Sequence, residues 1–409
     1  MQIFRSFSSK NFRYFISGQS VSLLGTWMQK VAVSWIVYQL THSAFMLGLT
    51  MFANLIPTLL LSPYAGSYTD RHNRYKILLI TQILLMVQAG IFTLVIFFKL
   101  DSIAIILALS LMQGLINAFD TTARQSLLVH MIDHKDDLPN AIALNSSMAN
   151  LTRILGPALA GIFLSTLGDS FCFLINFISC FFVIYSLLKM KIDLPEATKQ
   201  DNKIWQTFKE GLKYLKEAPD LSSLILLMAG YSIFVIPYTT LLPVFAKDIF
   251  HGDAGTFSWF ESAAGVGALI GTAYIASIKT SKNLIQIVIF ASLLFSLGVL
   301  LLSVSFDLVM ALLFTLITGM GMMTQTSAIN SYLQTHVSDN MRGRVISYFI
   351  MAYQGLIPVG SLLIGILSTH FGPKITVCIA GGLGFMSSLI YFSFLYKRKQ
   401  KKLSQCLNM

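Results

Sequence analysis

Gly66-Ser67-Tyr68-Thr69-Asp70-Arg71-His72-Asn73-Arg74-Tyr75-Lys76 is a short polar stretch between two long apolar ones. The apolar runs at 45–68 and 76–98 each approach the ~20 residues a helix needs to cross the hydrocarbon core of a bilayer. So short a loop makes the two spans antiparallel and puts Asp70, Arg71, Arg74 and Lys76 at one membrane face. Bases gather on the cytoplasmic side of membrane proteins, which orients that face. Gly66 has no Cβ and suits close helix approach. Asn73 tolerates a left-handed backbone and suits the turn.

The same alternation continues in both directions. The expected spans are 15–40, 45–68, 76–98, 103–124, 140–167 and 171–190, then 221–249, 256–278, 284–305, 308–333, 344–371 and 376–396. The runs are continuous, whereas a membrane strand alternates over ~10 residues. The composition agrees: 55% of the 409 residues are hydrophobic and 11% are charged, against about a quarter charged in soluble domains. The fold class is therefore an all-α membrane protein with about twelve transmembrane helices in two six-helix bundles. Arg5, Lys10 and Arg13 precede an apolar stretch too long for a signal-peptide core, so it reads as a retained first span.

The net charge of +11 does not indicate nucleic-acid binding, because the bases are spread through the inter-span segments. With the N-terminus inside, those segments hold Arg5, Arg71, Arg74, Arg124, Arg342, Arg344 and seven lysines between Lys189 and Lys216; Lys99, Lys247 and Lys374 fall outside. Both termini are expected in the cytoplasm. The domains expected are a bundle at 1–191, a cytoplasmic linker at 192–219, a second bundle at 220–396 and a basic tail at 397–409. Within the linker, Trp205, Phe208, Leu212 and Leu215 recur at helical spacing among lysines, the pattern of an amphipathic helix on the inner leaflet. The halves echo each other: Ala123-Arg-Gln-Ser-Leu-Leu and Pro157…Leu-Ser-Thr-Leu-Gly168 recur as Ala328-Ile-Asn-Ser-Tyr-Leu and Pro358…Leu-Ser-Thr-His-Phe-Gly372. A constant offset of roughly two hundred residues points to a duplicated six-helix unit.

Charges at membrane depth are costly and mark function. Lys30 lies in the first span beside Trp27, Arg153 in the fifth, and Glu261 in the outer third of the eighth. With the polar Gln354 in the eleventh span, they form the expected substrate and proton pathway. Pro57, Pro157, Pro237 and Pro358 fall inside spans and mark expected kinks. The four cysteines make no ligand cluster, so no metal site is expected. No GxxxxGK[ST] stretch and no nucleophile–base pattern occurs, which leaves no basis for ATP drive or an enzyme.

Gly66-x-x-x-Asp70-Arg71-x-Asn73-Arg74 resembles the signature loop of the major facilitator superfamily, with Asn73 where the family has glycine. Five further stretches narrow the likeness: Gly25-Thr-Trp-Met-Gln-Lys30, Asn117-Ala-Phe-Asp120-Thr-Thr-Ala-Arg124, Leu138-Pro-Asn-Ala, Arg153-Ile-Leu-Gly-Pro157 and Arg342-Gly-Arg344. Together they resemble the enterobactin-exporter-like branch, which is similar to macrolide efflux proteins. Ser110 stands where many antiporters of the superfamily carry an arginine, three positions before Gln113-Gly114.

This resemblance implies a proton-driven exporter with alternating access in the bacterial inner membrane, needing no cofactor beyond the proton gradient. It implies a cytoplasmic gate of Gly66, Asp70, Arg71, Arg74, Asp120, Arg124, Arg342 and Arg344. In that gate Asp120 pairs with Arg71 or Arg74, and Asp70 faces Arg344. The expected partners are a small-molecule substrate and the lipid bilayer, with the chain acting as a monomer. Two basic groups against one acid favour an anionic siderophore. The alternatives are macrolide or multidrug efflux, facilitation without proton coupling, and a receptor or scaffold that uses a transporter fold.

Overall fold

In the computed structural model, residues 2–192, 204–278 and 283–407 are described, and among them every regular element is helical. The first half contains α1 (Lys10–Thr41), α2 (Ala44–Arg71), α3 (Arg74–Phe97), α4 (Ile103–Leu128), α5 (Leu138–Thr166) and α6 (Asp169–Lys189). There follow α7 (Ile204–Glu217), α8 (Pro219–Phe234), the single turn α9 (Leu242–Val244), α10 (Ala254–Ser277), α11 (Leu284–Ser303), α12 (Leu308–His336), α13 (Asp339–Ile350), α14 (Ile357–Phe371) and α15 (Pro373–Leu407). Among the described residues, ten helical stretches are long and apolar enough to cross a membrane. α1 and α10 are not among them, although they run 32 and 24 residues. Gln19, Gln29 and Lys30 dilute α1, and Glu261 with several glycines and serines dilutes α10.

Short polar caps end the helices and free the loops to be brief. Ser43 accepts from the Met46 amide, Ser102 from that of Ile105, and Asp307 from those of Val309 and Met310. Asn73 works in the same way. Its backbone is extended (φ −66°, ψ 105°), and its side chain accepts from the Lys76 amide at 3.0 Å. The left-handed turn expected there is replaced by an N-cap, which satisfies one of the amides a helix start leaves open.

The prolines divide into two kinds. α2 runs on through Pro57 and α5 through Pro157. The other two stand at breaks. α8 stops at Phe234, and the chain passes through a 3₁₀ segment (Ile236–Leu241) holding Pro237, then α9 and a π-helical turn (Phe245–Ile249). Likewise α13 passes through a π-helical turn (Met351–Gly355) before α14 begins with Pro358 in its first turn. Proline lacks the amide that would continue the ladder. π-turns absorb the extra residue that results.

The chain forms two compact units. Unit 1 comprises Met1–Asp201 together with Leu242–Ser262. In it α1 packs on α5 and α6, α2 on α4, and α3 on α4 and α6. Unit 2 comprises Asn202–Leu241 and Ala263–Met409, with α11 on α12 and α15. One kind of junction recurs in both. A Cβ at Gly114 of α4 would overlap the Asn54 carbonyl of α2, and a Cβ at Gly319 of α12 would overlap the Ala264 carbonyl of α10. Bare glycine lets the helix backbones touch where lipid gives no hydrophobic drive. At Gly66 a Cβ would meet open space. The close approach expected at Gly66 is therefore made at Gly114, two helices further on.

Candidate functional site

The first group of expected residues lies where α2, α3 and α4 end and begin. Asp120 is 1% exposed. It pairs with Arg124 one turn later on its own helix (3.0 Å) and accepts from Gln82 Nε2 (2.6 Å) and Thr81 Oγ1 (3.0 Å) of α3. An acid four residues before a base on a helix is the favourable order. Arg71 is exposed and Arg74 half-buried. The expected pairing of Asp120 with Arg71 or Arg74 thus gives way to Arg124, Gln82 and Thr81. The side chain of Asp70 lies outside the described residues.

Arg344 sits on α13 in unit 2. Its Nη1 donates to Glu210 Oε2 of α7 at 2.5 Å, a partner the sequence reading did not name. Arg342 Nε donates to the Gln334 carbonyl of α12 (3.0 Å). α7 itself is helical as expected, and its buried Gly211 and Leu215 pack toward α13 and α8. A Cβ at Gly211 would come 2.9 Å from the Tyr348 ring. That face is covered by protein, while Leu212, Lys213 and Lys216 stay exposed. The side chains of Trp205 and Phe208 lie outside the described residues.

The interior of unit 1 carries a polar relay that periodicity alone does not reveal. Asn176 of α6 donates to Gln29 of α1 (2.8 Å), Gln29 to Gln88 of α3 (3.1 Å), and Gln88 to the Leu109 carbonyl of α4 (3.2 Å). Gln29 and Gln88 are wholly buried. Burial without water demands such partners. A small cavity beside them is lined by Gln19, Gln82, Asp120 and Arg124, and it does not extend to Lys30, Arg153 or Glu261.

Those last three meet elsewhere in unit 1. Lys30 Nζ stands 4.7 Å from the centre of the Trp27 ring, and Arg153 Cζ stands 6.0 Å from the same ring. Glu261 and Arg153 are the charges that act on Lys30. Lys30 is exposed, and Trp27, Arg153 and Glu261 are half-buried. Beyond Lys30, toward the end of α1, Trp35 stacks on Phe257 (6.3 Å), Lys247 lies over Trp35 (5.6 Å), and Tyr38 donates to Asp248. Tyr38 and Asp248 were not among the expected residues. Their only sequence signal is polarity close to the ends of their spans.

In unit 2 the buried Tyr231 hydroxyl lies within hydrogen-bond distance of Ser296 Oγ and Ser388 Oγ (2.6 Å each) and of the Ser292 and Gly384 carbonyls. It ties α8 to α11 and α15 just before the α8 break. Gln354 is exposed on the π-helical turn ahead of Pro358. Among the described residues no group of His, Cys, Asp and Glu is arranged to hold a metal ion.

Comparison with known proteins places this geometry in context. A transporter of staphyloferrin A from Staphylococcus aureus is 28% identical over 401 residues, covering 96% of this chain and 98% of that one. Macrolide efflux protein A of Streptococcus pyogenes is 22% identical over 62% of this chain and 63% of its own. A crystal structure of a variant of the nucleoside transporter NupG superposes with a TM-score of 0.73 at 15% identity, covering 94% of this chain and 99% of that one. That likeness carries the fold. The profile of the transmembrane secretion effector family matches residues 2–408. With ten helices among the described residues long and apolar enough to cross a membrane, and a family match over nearly its whole length, the chain is a multi-pass membrane transporter of the major facilitator superfamily that belongs to the transmembrane secretion effector family.

Proposed function

We propose that this transporter exports an anionic siderophore across the bacterial plasma membrane by alternating access, driven by the proton gradient. One observation carries the reading: the similarity to the staphyloferrin A transporter extends over 96% of the chain. The basic residues Lys30 and Arg153 of unit 1 support the charge of the substrate. Lys30 and Arg153 converge on Trp27 with Glu261 as the acid acting on Lys30. In surroundings of low dielectric such an excess of positive charge attracts an anion more strongly than in water. Arg153 offers a planar fork that takes a carboxylate through two hydrogen bonds.

In this reading α1 and α10 complete a set of twelve spans, and both termini face the cytoplasm. Glu261 carries the proton. Asp70, in the last turn of α2, serves the cytoplasmic gate, while the Asp120–Arg124 pair fixes α4 against α3 beside it. The transporter works as a monomer and needs no cofactor.

A second reading, macrolide efflux, has its own support in the Streptococcus pyogenes relative. Macrolides are cations at neutral pH, and the Lys30–Arg153 pair repels them. The test is deletion of the gene in its host, measuring secreted iron chelator and drug susceptibility together. Export of a siderophore predicts a fall in secreted chelator with unchanged macrolide sensitivity. Normal chelator secretion with a rise in macrolide sensitivity reverses the assignment. Flux into inverted vesicles with and without an imposed pH gradient then separates a proton-coupled exporter from a facilitator, and absence of flux would point to a receptor.

A further inference from the structure

α7 presents two different faces. One is held by unit 2. Gly211 is buried against the Tyr348 ring of α13, and Leu215 is 5% exposed. At the edge of that face Glu210 accepts from Arg344 Nη1 of α13. The other face carries Leu212, Lys213 and Lys216, all exposed. Leu212 and Lys213 stand four and three positions before Lys216, so the three side chains adjoin on one helix surface. Among the described residues neither lysine has an acidic partner; the exposed Glu217 pairs with neither.

Chain continuity fixes the depth of this patch. Only Ala218 separates α7 from α8, whose membrane-crossing stretch starts at Pro219. Lys216 is three residues before that start. An extended chain advances at most ~3.6 Å per residue, which keeps Lys216 within roughly 11 Å of the span. Lys213 lies one helical turn further back. A second span ends at the same level. Arg398 closes the crossing stretch of α15 and pairs with Asp220 in the first turn of α8.

Bases at this depth meet the headgroup layer. A lysine there lays its stem along apolar surface and reaches phosphate with its ammonium. Leu212 beside them suits the boundary between headgroups and acyl chains. A soluble anion would use the lysines and leave the leucine in water. The mixture therefore matches a lipid surface.

We propose that the exposed face of α7 is a docking surface for anionic phospholipid headgroups, and that this docking braces α13 through Glu210 and Arg344. A partner that binds the packed helix and not its opened form steadies the packed form. α13 runs directly into the π-helical turn Met351–Gly355. The brace thus acts on the helix just ahead of that break, and the charge of the leaflet reaches it through α7. The inference does not depend on what the transporter carries.

The experiment places the full chain in nanodiscs of phosphatidylcholine, alone or mixed with phosphatidylglycerol, and follows hydrogen exchange. Nanodiscs expose both membrane faces, so the readout needs neither a substrate nor a known orientation. Each lysine beside a charged leaflet contributes roughly fivefold to binding. Phosphatidylglycerol should therefore slow exchange at Leu212–Glu217 about tenfold or more, and high salt should remove most of that effect. Lys213→Gln combined with Lys216→Gln should lose most of the slowing, yet exchange like the parent in pure phosphatidylcholine. Lys213→Arg combined with Lys216→Arg should keep it. Equal exchange of the parent in the two lipids overturns the proposal, as does full slowing in the double glutamine variant. Slowing by inorganic phosphate in phosphatidylcholine discs, equal to that by phosphatidylglycerol, overturns it in favour of a soluble-anion site. In the parent, phosphatidylglycerol should also slow exchange at Arg344–Tyr348 of α13, and Glu210→Gln should lose most of that second effect. Slowing confined to α7 in the parent overturns the brace.

Discussion

Asp120 and Gly114 separate what a residue type announces from what its neighbours decide. An acid near the end of a span announces a charge partner, and the sequence placed the bases of the 66–76 loop nearby. Arg124 was equally visible at the i+4 position, but helical spacing does not say which of several bases wins. The winner is the one on the same helix, helped by Gln82 and Thr81. Replacing Asp120 by leucine leaves Arg124 and the Gln82 amide without an acceptor, and breaking a buried pair costs about 3–5 kcal/mol. Thermal unfolding in detergent should show that loss in Asp120→Leu and a smaller one in Asp120→Asn, which keeps an acceptor for Thr81 and Gln82. An unchanged melting temperature in Asp120→Leu would falsify the buried pair. The glycines invite a paired comparison. Gly114→Ala should destabilise clearly because the new methyl overlaps the Asn54 carbonyl. Gly66→Ala should stay within about 0.5 kcal/mol of the parent or gain slightly, since alanine is the better helix former and its methyl enters open space. If the two variants melt alike, the α2–α4 approach is not where the structure puts it.

Helices were legible wherever the apolar run was continuous, which is why most spans were readable from the sequence. The interruptions were less so. Each of the four prolines signals a kink equally well on paper, yet only Pro237 and Pro358 stand at breaks. The difference lies in the flanks. α8 and α13 each give way to tighter or wider turns near their prolines, whereas α2 and α5 have neighbouring helices that hold them regular. Tyr231 anchors α8 immediately before its break, with its hydroxyl among partners on α11 and α15. Tyr231→Phe keeps the ring against Phe295 but strips those partners of the hydroxyl. Leaving buried polar groups unsatisfied costs about 1–3 kcal/mol. The expected outcome is a lower melting temperature together with faster hydrogen exchange at Ser232–Val235. If exchange there stays at the parental rate, the hydroxyl is not what steadies the end of α8. The polar relay through Asn176, Gln29 and Gln88 escaped the sequence for a related reason. Amides within spans are visible, but which ones face each other depends on helix rotation, and a weak apolar stripe in α1 does not fix it.

At the scale of the whole molecule, charge asymmetry makes a prediction about sidedness that can be checked in intact cells. Single cysteines introduced at Lys99 and at Lys374, in a background with Cys172, Cys180, Cys378 and Cys406 replaced, should react with a membrane-impermeant maleimide added outside. A cysteine at Lys76 should react only after the cells are opened. Labelling of Lys76→Cys from outside would invert the orientation. The division into units was the part of the architecture least open to sequence reasoning. Residue order suggests a clean boundary in the linker, and nothing in local composition says that Leu242–Ser262 belongs with the first unit. That membership sets a timetable for biosynthesis. A chain inserted from its N-terminus has threaded α1 to α6 into the bilayer while the segment that brings Asp248, Phe257 and Glu261 is still unmade. About 60 more residues must leave the ribosome, which at ~5–20 residues per second is a wait of roughly 3–12 s. During that interval Tyr38 and Trp35 face lipid or the insertion machinery in place of their native partners. The nascent first half is then a natural client for a membrane chaperone, and slow codons placed just before residue 242 would prolong its exposure.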